Sequence, residues 1–555
     1  MRSAVAVATA LLGAILAGTS PAIAQEATLH FDILEYVVEG DTLLGSAAIE
    51  RAVYEFLGPQ RTAADAENAR KALEKAYQDA GYLSVTVLLP PQQVGGAGGE
   101  VRLQVVQAPV DQLRITGARY HLPSQVKDAM PSLAPGNVPN FNEMQQELGR
   151  LARDSADREV TPILSAGETP GTMAVELKVQ DTLPLHGSVE VNDKQSQNTA
   201  AGRLEAALSY DNLFQQGHSF GVNWFYSPRR PSEANILSYN YNLPLGGGGD
   251  RLYLLFTHSD SNTPTPLGGA TVSRGDTGRL RWRDELPTRE GIAHGLSYGL
   301  TLKHLRDANV EVAGVTTPSP DLRYPTFQFG YDLNLDGGIA GRQSSLQAEL
   351  SVSLPGLSRR YVDCSGSVRE QFDCKRVTGG VDVPGASRPG FQILTLTLSH
   401  REPLGQWLLS GRLQAQLTDV PLVPAEQVVY GGRDSVRGYY EGEQAGDAGV
   451  ALRLELSPPA WAPFERTTLQ PLLFADGAAL HRYHVLAGDK ASTKLASVGL
   501  GLRLNTPVGL QATLDWARLL YDTTRFDSAS AAQDAVNGRG AGRSQRWQFS
   551  LRQGF

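Results

Sequence analysis

Cysteine is nearly absent from this chain of 555 residues, which contains only two, Cys364 and Cys374. This excludes a disulfide-rich scaffold, and no histidine or further cysteine stands at ligand spacing beside them to form a zinc site. The two residues lie in a polar segment, YVDCSGSVREQFDCKRV. For an exported chain this pattern favours one disulfide that closes a loop, with two free thiols as the alternative.

Long apolar runs are also missing. After the first residues, no stretch approaches the ~18 uninterrupted apolar residues of a transmembrane helix. The chain begins MRSAVAVATALLGAILAGTSPAIA, in which Arg2 precedes a short apolar run and Ala22-Ile23-Ala24 gives a small-x-small site. This predicts a cleaved signal peptide at residues 1–24, with a membrane anchor as the alternative. The exported chain is therefore either soluble or crosses a membrane as strands.

The chain has no excess of positive charge. Its net charge is −8 at pH 7 and it has no long basic run, so we expect no nucleic-acid partner. It also lacks a P-loop, and GHSFG (217–221) matches a nucleophile elbow only by letters, because Ser219 follows a turn and enters a predicted strand. We therefore expect a protein that is not an enzyme, without catalytic, cofactor or metal sites.

Two small modules open the exported chain. Residues 31–108 show the order strand, helix, helix, strand, strand, with Ser46 predicted as the N-cap of the first helix. The same order recurs over residues 110–183, which makes a tandem repeat. A sheet covered by helices on one face leaves a strand edge that can bind an extended peptide. The alternative is a pair of structural spacers.

The pattern changes to alternating segments over residues 185–555. In VALRLELS, for example, valine and leucines alternate with Arg453, Glu455 and Ser457. An apolar face suits lipid and a strongly polar face suits a wet lumen, whereas a soluble sandwich is the alternative. Backbone groups in lipid must all be paired, so such strands have to close. The fold class predicted is α+β followed by all-β, ending in a transmembrane antiparallel barrel of roughly 16 strands.

The last segment, RWQFSLRQGF, alternates without a break. Its apolar face carries Trp547, Phe549, Leu551 and Phe555. A terminal phenylalanine after such a strand resembles the C-terminal assembly signal of bacterial outer-membrane proteins. The resemblance implies a Gram-negative outer membrane, with its lipid and the barrel assembly machinery as partners during biogenesis.

Three further stretches carry a family resemblance: GGRDSVRGYYEG (431–442), LLFADGA (472–478) and VGLGLRL (498–504). In this order, after two such modules, they resemble the outer-membrane protein-translocating barrels with POTRA domains, and within these the two-partner secretion (TpsB) transporters of the ShlB/FhaC/HecB type. The loop motif comprises Val436, Arg437, Gly438 and Tyr439, in a loop at about residues 424–449 that we call the VRGY loop. The strand motifs comprise Phe474, Asp476, Gly477, Gly499, Gly501 and Arg503.

The resemblance implies that the two modules are periplasmic POTRA domains and that the barrel secretes an unfolded TpsA-like exoprotein. It also implies an ion pair between Arg437 and Asp476 that holds the VRGY loop inside the pore. The runner-up function is an assembly factor of the BamA/TamA type. Many TpsB proteins begin with a helix that plugs the barrel. Gln25 runs almost directly into the first module here, so we expect either that the VRGY loop alone closes the pore or that the usual gating mechanism does not apply.

Overall fold

The computed structural model describes most of the chain as two compact units that divide after Asp181. Residues 1–24 and both cysteines lie outside the described residues, so the predictions for them stay predictions. The described residues are 30–40, 43–93, 99–196, 199–246, 249–261, 265–267, 270–272, 274–287, 289, 291–306, 309–312, 315–318, 322–354, 357, 390–483, 491–521 and 544–555.

The first unit consists of two α+β modules. Its elements are β1 (Phe31–Ile33), β2 (Glu35–Glu39), α1 (Ser46–Val53), β3 (Gly58–Arg61), α2 (Ala63–Asp79), β4 (Thr86–Leu88), β5 (Glu100–Val106), β6 (Val110–Thr116), α3 (Pro123–Asp128), α4 (Phe141–Asp154), β7 (Arg158–Ala166) and β8 (Met173–Asp181). The two three-stranded sheets have the orders β2-β5-β4 and β6-β8-β7, with the first pair parallel and the second antiparallel in each. The repeated order is the reason why the modules have the same sheet.

Helix α2 covers the first sheet through the face that its spacing predicts. Leu73 and Tyr77 are fully buried in the core of that module. The helix begins at Thr62, whose side chain accepts from the Asp65 backbone while the Asp65 carboxylate accepts from Thr62. The prediction for α1 was wrong, because Ser46 is the first helical residue and Gly45 occupies the N-cap without a side-chain hydrogen bond.

The Asp181 carboxylate stabilises the second module at the end of β8. It is fully buried and accepts from the backbone N–H groups of Arg119, Tyr120 and His121, at 2.7–3.1 Å, and from the His121 ring at 3.3 Å. Burial alone would raise the pKa of Asp181, but the backbone hydrogen bonds from Tyr120 and Arg119 and those from His121 lower it below its ordinary value. The folded protein therefore stabilises the ionised form of the Asp181 carboxylate.

We expect Asp181→Asn to lower the free energy of unfolding of this module by about 1–3 kcal/mol at neutral pH, because one of the two buried acceptor oxygens becomes an amide donor that faces backbone N–H groups. The folded-state pKa of Asp181 lies below the unfolded value of about 3.9, so this stabilisation is present above that pH and is lost as pH falls through the folded-state pKa. Thermal unfolding of the first unit in the full chain, at neutral and strongly acidic pH, measures it. The exposed Asp128→Asn is the control, and an Asp181→Asn effect that stays equally large in acid would contradict the assignment.

The second unit is a closed antiparallel barrel. Its strands are β9 (Leu185–Asn192), β10 (Arg203–Leu213), β11 (His218–Tyr226), β12 (Asn235–Leu245), β13 (Asp250–Ser259), β14 (Thr265–Leu267), β15 (Ala270–Val272), β16 (Gly275–Glu285), β17 (Ile292–Leu305), β18 (Asn309–Val312), β19 (Val315–Pro318), β20 (Leu322–Asp336), β21 (Gln343–Ser353), β22 (Phe391–Leu404), β23 (Trp407–Leu417), β24 (Val428–Tyr430), β25 (Gln444–Gly446), β26 (Ala448–Ser457), β27 (Trp461–Phe464), β28 (Thr467–His481), β29 (Ser492–Asn505), β30 (Leu510–Leu519) and β31 (Gln545–Gly554).

Sixteen of these strands, within the described residues, form the wall. The pairs β14–β15, β18–β19 and β24–β25 are separate hairpins in the connections, and the short β27 pairs with the start of β28. The prediction of roughly 16 strands is confirmed. Long connections alternate with short turns, so all long connections lie at one end of the barrel. None of the helices in the described part of the chain is long and apolar enough to cross a membrane.

The two faces of the wall differ as the alternation predicts. Leu452 and Leu454 point outward and are 42% and 39% exposed, whereas Arg453 and Glu455, which alternate with them, point into the lumen. The lumen is therefore lined by charged side chains and the outer wall by apolar ones.

Ser219 lies inside β11 opposite Asn242, so GHSFG forms no strand-turn-helix elbow.

The wall closes where the last strand meets the first. The β31–β9 ladder pairs five residues, from Ser550↔Asn192 to Gly554↔Ser188. Phe555 extends it through reciprocal backbone hydrogen bonds with Gly187, at 3.0 and 3.1 Å. Trp547, Phe549, Leu551 and Phe555 of the predicted assembly signal are 62%, 47%, 48% and 72% exposed on the outer wall.

Candidate functional site in the barrel lumen

The centre of the site is Arg437, a fully buried arginine at the tip of the VRGY loop. In the structure this loop occupies the connection between β23 and β26. The Arg437 guanidinium binds the Asp476 carboxylate bidentately, with Nε–Oδ2 at 2.6 Å and Nη2–Oδ1 at 2.7 Å. The Arg437 backbone N–H also donates to Asp476 Oδ2 at 3.1 Å. The structure thus brings together the two residues whose pairing the family resemblance implies.

Two further groups hold the same guanidinium. Its Nη1 donates to Glu455 Oε1 at 2.6 Å, and its carbon lies 3.6 Å from the centroid of the Phe474 ring. Arg453 binds the same Glu455 oxygen at 3.2 Å. Two carboxylates therefore face two arginines, and the ring covers one face of Arg437, which stabilises a buried charge that would otherwise be costly.

Sequence reasoning did not assign Glu455 to this cluster, although it placed Glu455 on the luminal face. The strand register would have found it, since Arg453 pairs with Asp476 and Glu455 pairs with Phe474 on the adjacent strands β26 and β28. Neighbours on one face of an antiparallel pair interact directly. The prediction lacked only the register.

Gly438 lets the loop tip approach the wall closely. Its φ is +91°, a conformation that glycine adopts without strain, and its N–H donates to Gln548 Oε1 of the last strand at 2.8 Å. A Cβ added here would stand 2.8 Å from the Cβ of Ala517 on β30. Backbone conformation and space thus both require glycine.

Tyr439 fastens the tip to the last barrel strands. Its hydroxyl donates to the carbonyl of Tyr521 at 2.6 Å and also contacts the Ala496 carbonyl at 3.1 Å. Its own carbonyl accepts from Arg546 at 3.0 Å and from Gln548 at 3.4 Å. Val436, also fully buried, packs in an apolar cluster under the same tip. All four residues of the loop motif therefore contact the inner wall or its cluster.

The tip also spans the closure of the barrel. Arg546 of β31 binds Asp193, which follows the first strand, at 3.1 Å, and lies over the Tyr440 ring at 4.4 Å. The backbone N–H of Glu441 donates to the Gln195 carbonyl at 3.0 Å. The loop tip consequently binds both sides of the junction between β9 and β31.

The start of the loop is held at a second place. Glu426 accepts from Lys303 Nζ of β17 and from the Tyr324 hydroxyl of β20, both at 2.5 Å. In the strand order β17 and β20 lie halfway around the barrel from the β9–β31 junction. The VRGY loop is therefore fastened to opposite parts of the wall, and its attachment near β17 had no sequence signal.

The strand-motif glycines make room for this cluster, with one exception. A Cβ on Gly499 would lie 2.4 Å from the Phe474 ring and 2.0 Å from the Trp516 carbonyl. A Cβ on Gly501 would lie 2.4 Å from Asp515, the carboxylate that binds Arg503 at 2.7 Å. Gly477 is the exception, since a Cβ there would lie 3.8 Å from the Leu495 carbonyl oxygen and, among the described residues apart from its chain neighbours, would meet no atom of the cluster within 4 Å.

We expect Gly499→Ala to destabilise the barrel by about 1–3 kcal/mol, because the methyl group collides with a backbone carbonyl and with the ring that covers Arg437. The temperature at which the folded band disappears on semi-native electrophoresis measures this. Gly477→Ala is the matched control on the neighbouring strand and should melt like the wild type. Equal melting of both variants would contradict the packing role.

Comparison with known proteins assigns the chain. A family model described as "Haemolysin secretion/activation protein ShlB/FhaC/HecB" matches residues 171–504, and one described as "POTRA domain, ShlB-type" matches residues 31–108. The chain belongs to the ShlB/FhaC/HecB family. The outer membrane transporter CdiB of Escherichia coli O6:K15:H31 is 25% identical over 468 residues, 81% of this chain and 73% of that protein.

Solved structures show the same fold. CdiB from Escherichia coli aligns with a TM-score of 0.66 at 20% identity, over 97% of this chain and 93% of that one. BamA from Haemophilus ducreyi lacking POTRA domains 1–3 aligns at 0.53 with 14% identity, over 95% of this chain and 100% of that one, which is a likeness of fold alone. This ShlB/FhaC/HecB protein is an outer-membrane pore for two-partner secretion, with its POTRA domain in the periplasm.

Proposed function

We propose that this pore serves a TpsA-like exoprotein that reaches the periplasm unfolded, threads the lumen and folds outside. The family match supports the secretion activity. The fully buried Arg437, bound to Asp476 in the lumen, supports the proposal that the VRGY loop closes the pore. A loop that is fastened inside the barrel has to be displaced when a chain passes. Folding of the client outside supplies direction, since the periplasm holds no nucleotide.

The client binds first as an added strand on β7, one of the two edge strands of the second module. This edge is nine residues long and carries the exposed side chains of Ile163 and Leu164, which are 45% and 37% exposed. An extended peptide gains affinity from main-chain hydrogen bonds at such an edge and specificity from exposed side chains.

The corresponding edge strand of the first module, β4, is less suited to pairing with a client strand. In β4 the Val87 N–H donates to Glu74 at 3.2 Å, and the Val87 carbonyl accepts from Arg70 at 2.9 Å. Side chains of α2 thus already bind the groups that an added strand would use. Barrel assembly machinery is the second partner, and it binds this chain only during biogenesis.

Deletion of the gene tests the function, followed by mass spectrometry of the medium and of outer membranes. The expected result is loss of one large secreted protein while other outer-membrane barrels stay constant. A broad fall in those barrels, with no missing exoprotein, would instead show an assembly factor. Complementation with the wild-type gene should restore the missing protein and is the control.

A further inference from the structure

A notch interrupts the outer wall of the barrel at Gly278. This residue of β16 lies between Phe256 of β13 and Leu302 of β17 in the ladder, and all three face outward. Among the described residues, apart from its own chain neighbours, no heavy atom lies within 4 Å of the place where a Cβ of Gly278 would stand. The absent side chain therefore leaves open space on the face that meets lipid.

The notch belongs to an apolar groove of about 460 Å³. One wall is a row of three stacked rings, Phe220, Tyr239 and Phe256, with centroids 6.5 and 6.4 Å apart. The other wall is formed by leucines, among them Leu280 and Leu302, which are 42% and 57% exposed. We call this feature the Gly278 groove. Its lining and shape suit a hydrocarbon chain rather than a polar ligand.

The Gly278 end of the groove lies near the extracellular end of the wall, whereas Phe220 lies two residues from the start of β11, next to a short turn. The chain enters β9 from the periplasmic unit, so the long connections lie at the extracellular end. Asp276 is two residues from Gly278 toward that end, or about 7 Å at ~3.3 Å per residue. Arg274 lies a further two residues along the chain, next to Arg306 through a backbone hydrogen bond of 2.9 Å. The Gly278 end of the groove therefore faces the outer leaflet, just below a charged rim.

Among the described residues, that rim holds three arginines, Arg274, Arg306 and Arg323, and two carboxylates, Asp260 and Asp276. Arg274 binds Asp260 at 2.8 Å and Arg306 binds Asp276, while the exposed Arg323 pairs in register with His304 of β17. The side chains of Arg274 and Arg306 remain 40% and 51% exposed. A guanidinium has five N–H donors, so one carboxylate leaves donors that can bind a phosphate.

We propose that the Gly278 groove binds lipopolysaccharide of the outer leaflet. One acyl chain lies in the groove against the aromatic row, and a lipid A phosphate binds Arg274 and Arg306 at the rim. The membrane around this face of the wall supplies acyl chains, and the arginines favour a lipid with a phosphorylated headgroup. The remaining guanidinium donors at the rim and the position of the groove thus favour lipopolysaccharide over the glycerophospholipids of the inner leaflet.

Native mass spectrometry of the delipidated full chain in detergent tests this, with bisphosphoryl lipid A and phosphatidylglycerol as probes. The wild type should bind one added lipid A molecule. Gly278→Leu, which fills the groove, should reduce the bound fraction about tenfold. Gly411→Leu adds the same side chain to another outward-facing strand glycine and should bind like the wild type. Arg274→Ala/Arg306→Ala should reduce lipid A binding while leaving the groove intact, and it carries the test if Gly278→Leu does not fold.

Lipid A bound equally by the wild type, Gly278→Leu and the double arginine variant would overturn the proposal. If the wild type binds phosphatidylglycerol more tightly than lipid A, and Gly278→Leu loses that binding, the groove belongs to a phospholipid and the choice of lipopolysaccharide is refuted. Folding of each variant is checked by the heat-dependent shift of the barrel on electrophoresis.

Discussion

Arg437→Ala should reduce secretion of the client by about tenfold or more, because it leaves the buried Asp476 carboxylate without its partner, at a cost of about 3–5 kcal/mol. The loop tip then loses its bidentate bond, the bond to Glu455 and the contact with the Phe474 ring. Asp476→Ala should have the same effect. Client in the medium, divided by the amount of folded barrel in the outer membrane, is the measurement.

The double variant and a surface arginine provide the controls. Arg437→Ala/Asp476→Ala should secrete no less than either single variant, since residues in one ion pair are not additive. Arg230→Ala removes an arginine that is 67% exposed in another long connection and should leave secretion unchanged. Normal secretion by both single variants would show that the pair does not hold a functional loop.

Gly438→Ala should also lower secretion by about an order of magnitude, because the added methyl group both strains a positive-φ backbone and collides with Ala517. Gly202 separates the two causes. Its φ of +90° matches the +91° of Gly438, but within the described residues nothing beyond its chain neighbours lies within 4 Å of its Cβ position. Gly202→Ala should therefore carry the backbone strain alone and secrete close to normally.

Ala517→Gly provides a rescue. It removes the atom that lies 2.8 Å from the added methyl group, although Leu519 remains at 3.2 Å. Gly438→Ala/Ala517→Gly should thus recover part of the secretion that Gly438→Ala loses. The close-approach explanation fails if the rescue variant secretes no better than Gly438→Ala, or if Gly202→Ala is as defective.

Local patterns predicted the architecture because the barrel repeats one rule. Each strand must place apolar side chains in lipid and polar ones in water, so alternation such as Leu452-Arg453-Leu454 is visible without any partner strand. Helix boundaries were less secure. Ser46 and Gly45 are both residue types that occur at N-caps, so the local pattern did not decide between them.

The contacts of the luminal site also divide into those that the sequence indicated and those that only the structure shows. Arg437 and Asp476 were paired through a family resemblance, not through a local rule, and the structure adds Glu455 because strand register brings it there. Glu426 binds Lys303 and Tyr324, which are 123 and 102 residues away in the chain. Contacts across a lumen have no periodicity in sequence, so no pattern could have indicated them.

Photo-crosslinking of the client in transit tests the central claim, that it passes through the lumen. A benzophenone amino acid is placed at Gln347 or at Leu350, two positions of β21 that face the lumen and the lipid respectively. We expect a client adduct from position 347 and none from position 350. Adducts from position 350 without any from position 347 would show that the client does not travel through this barrel.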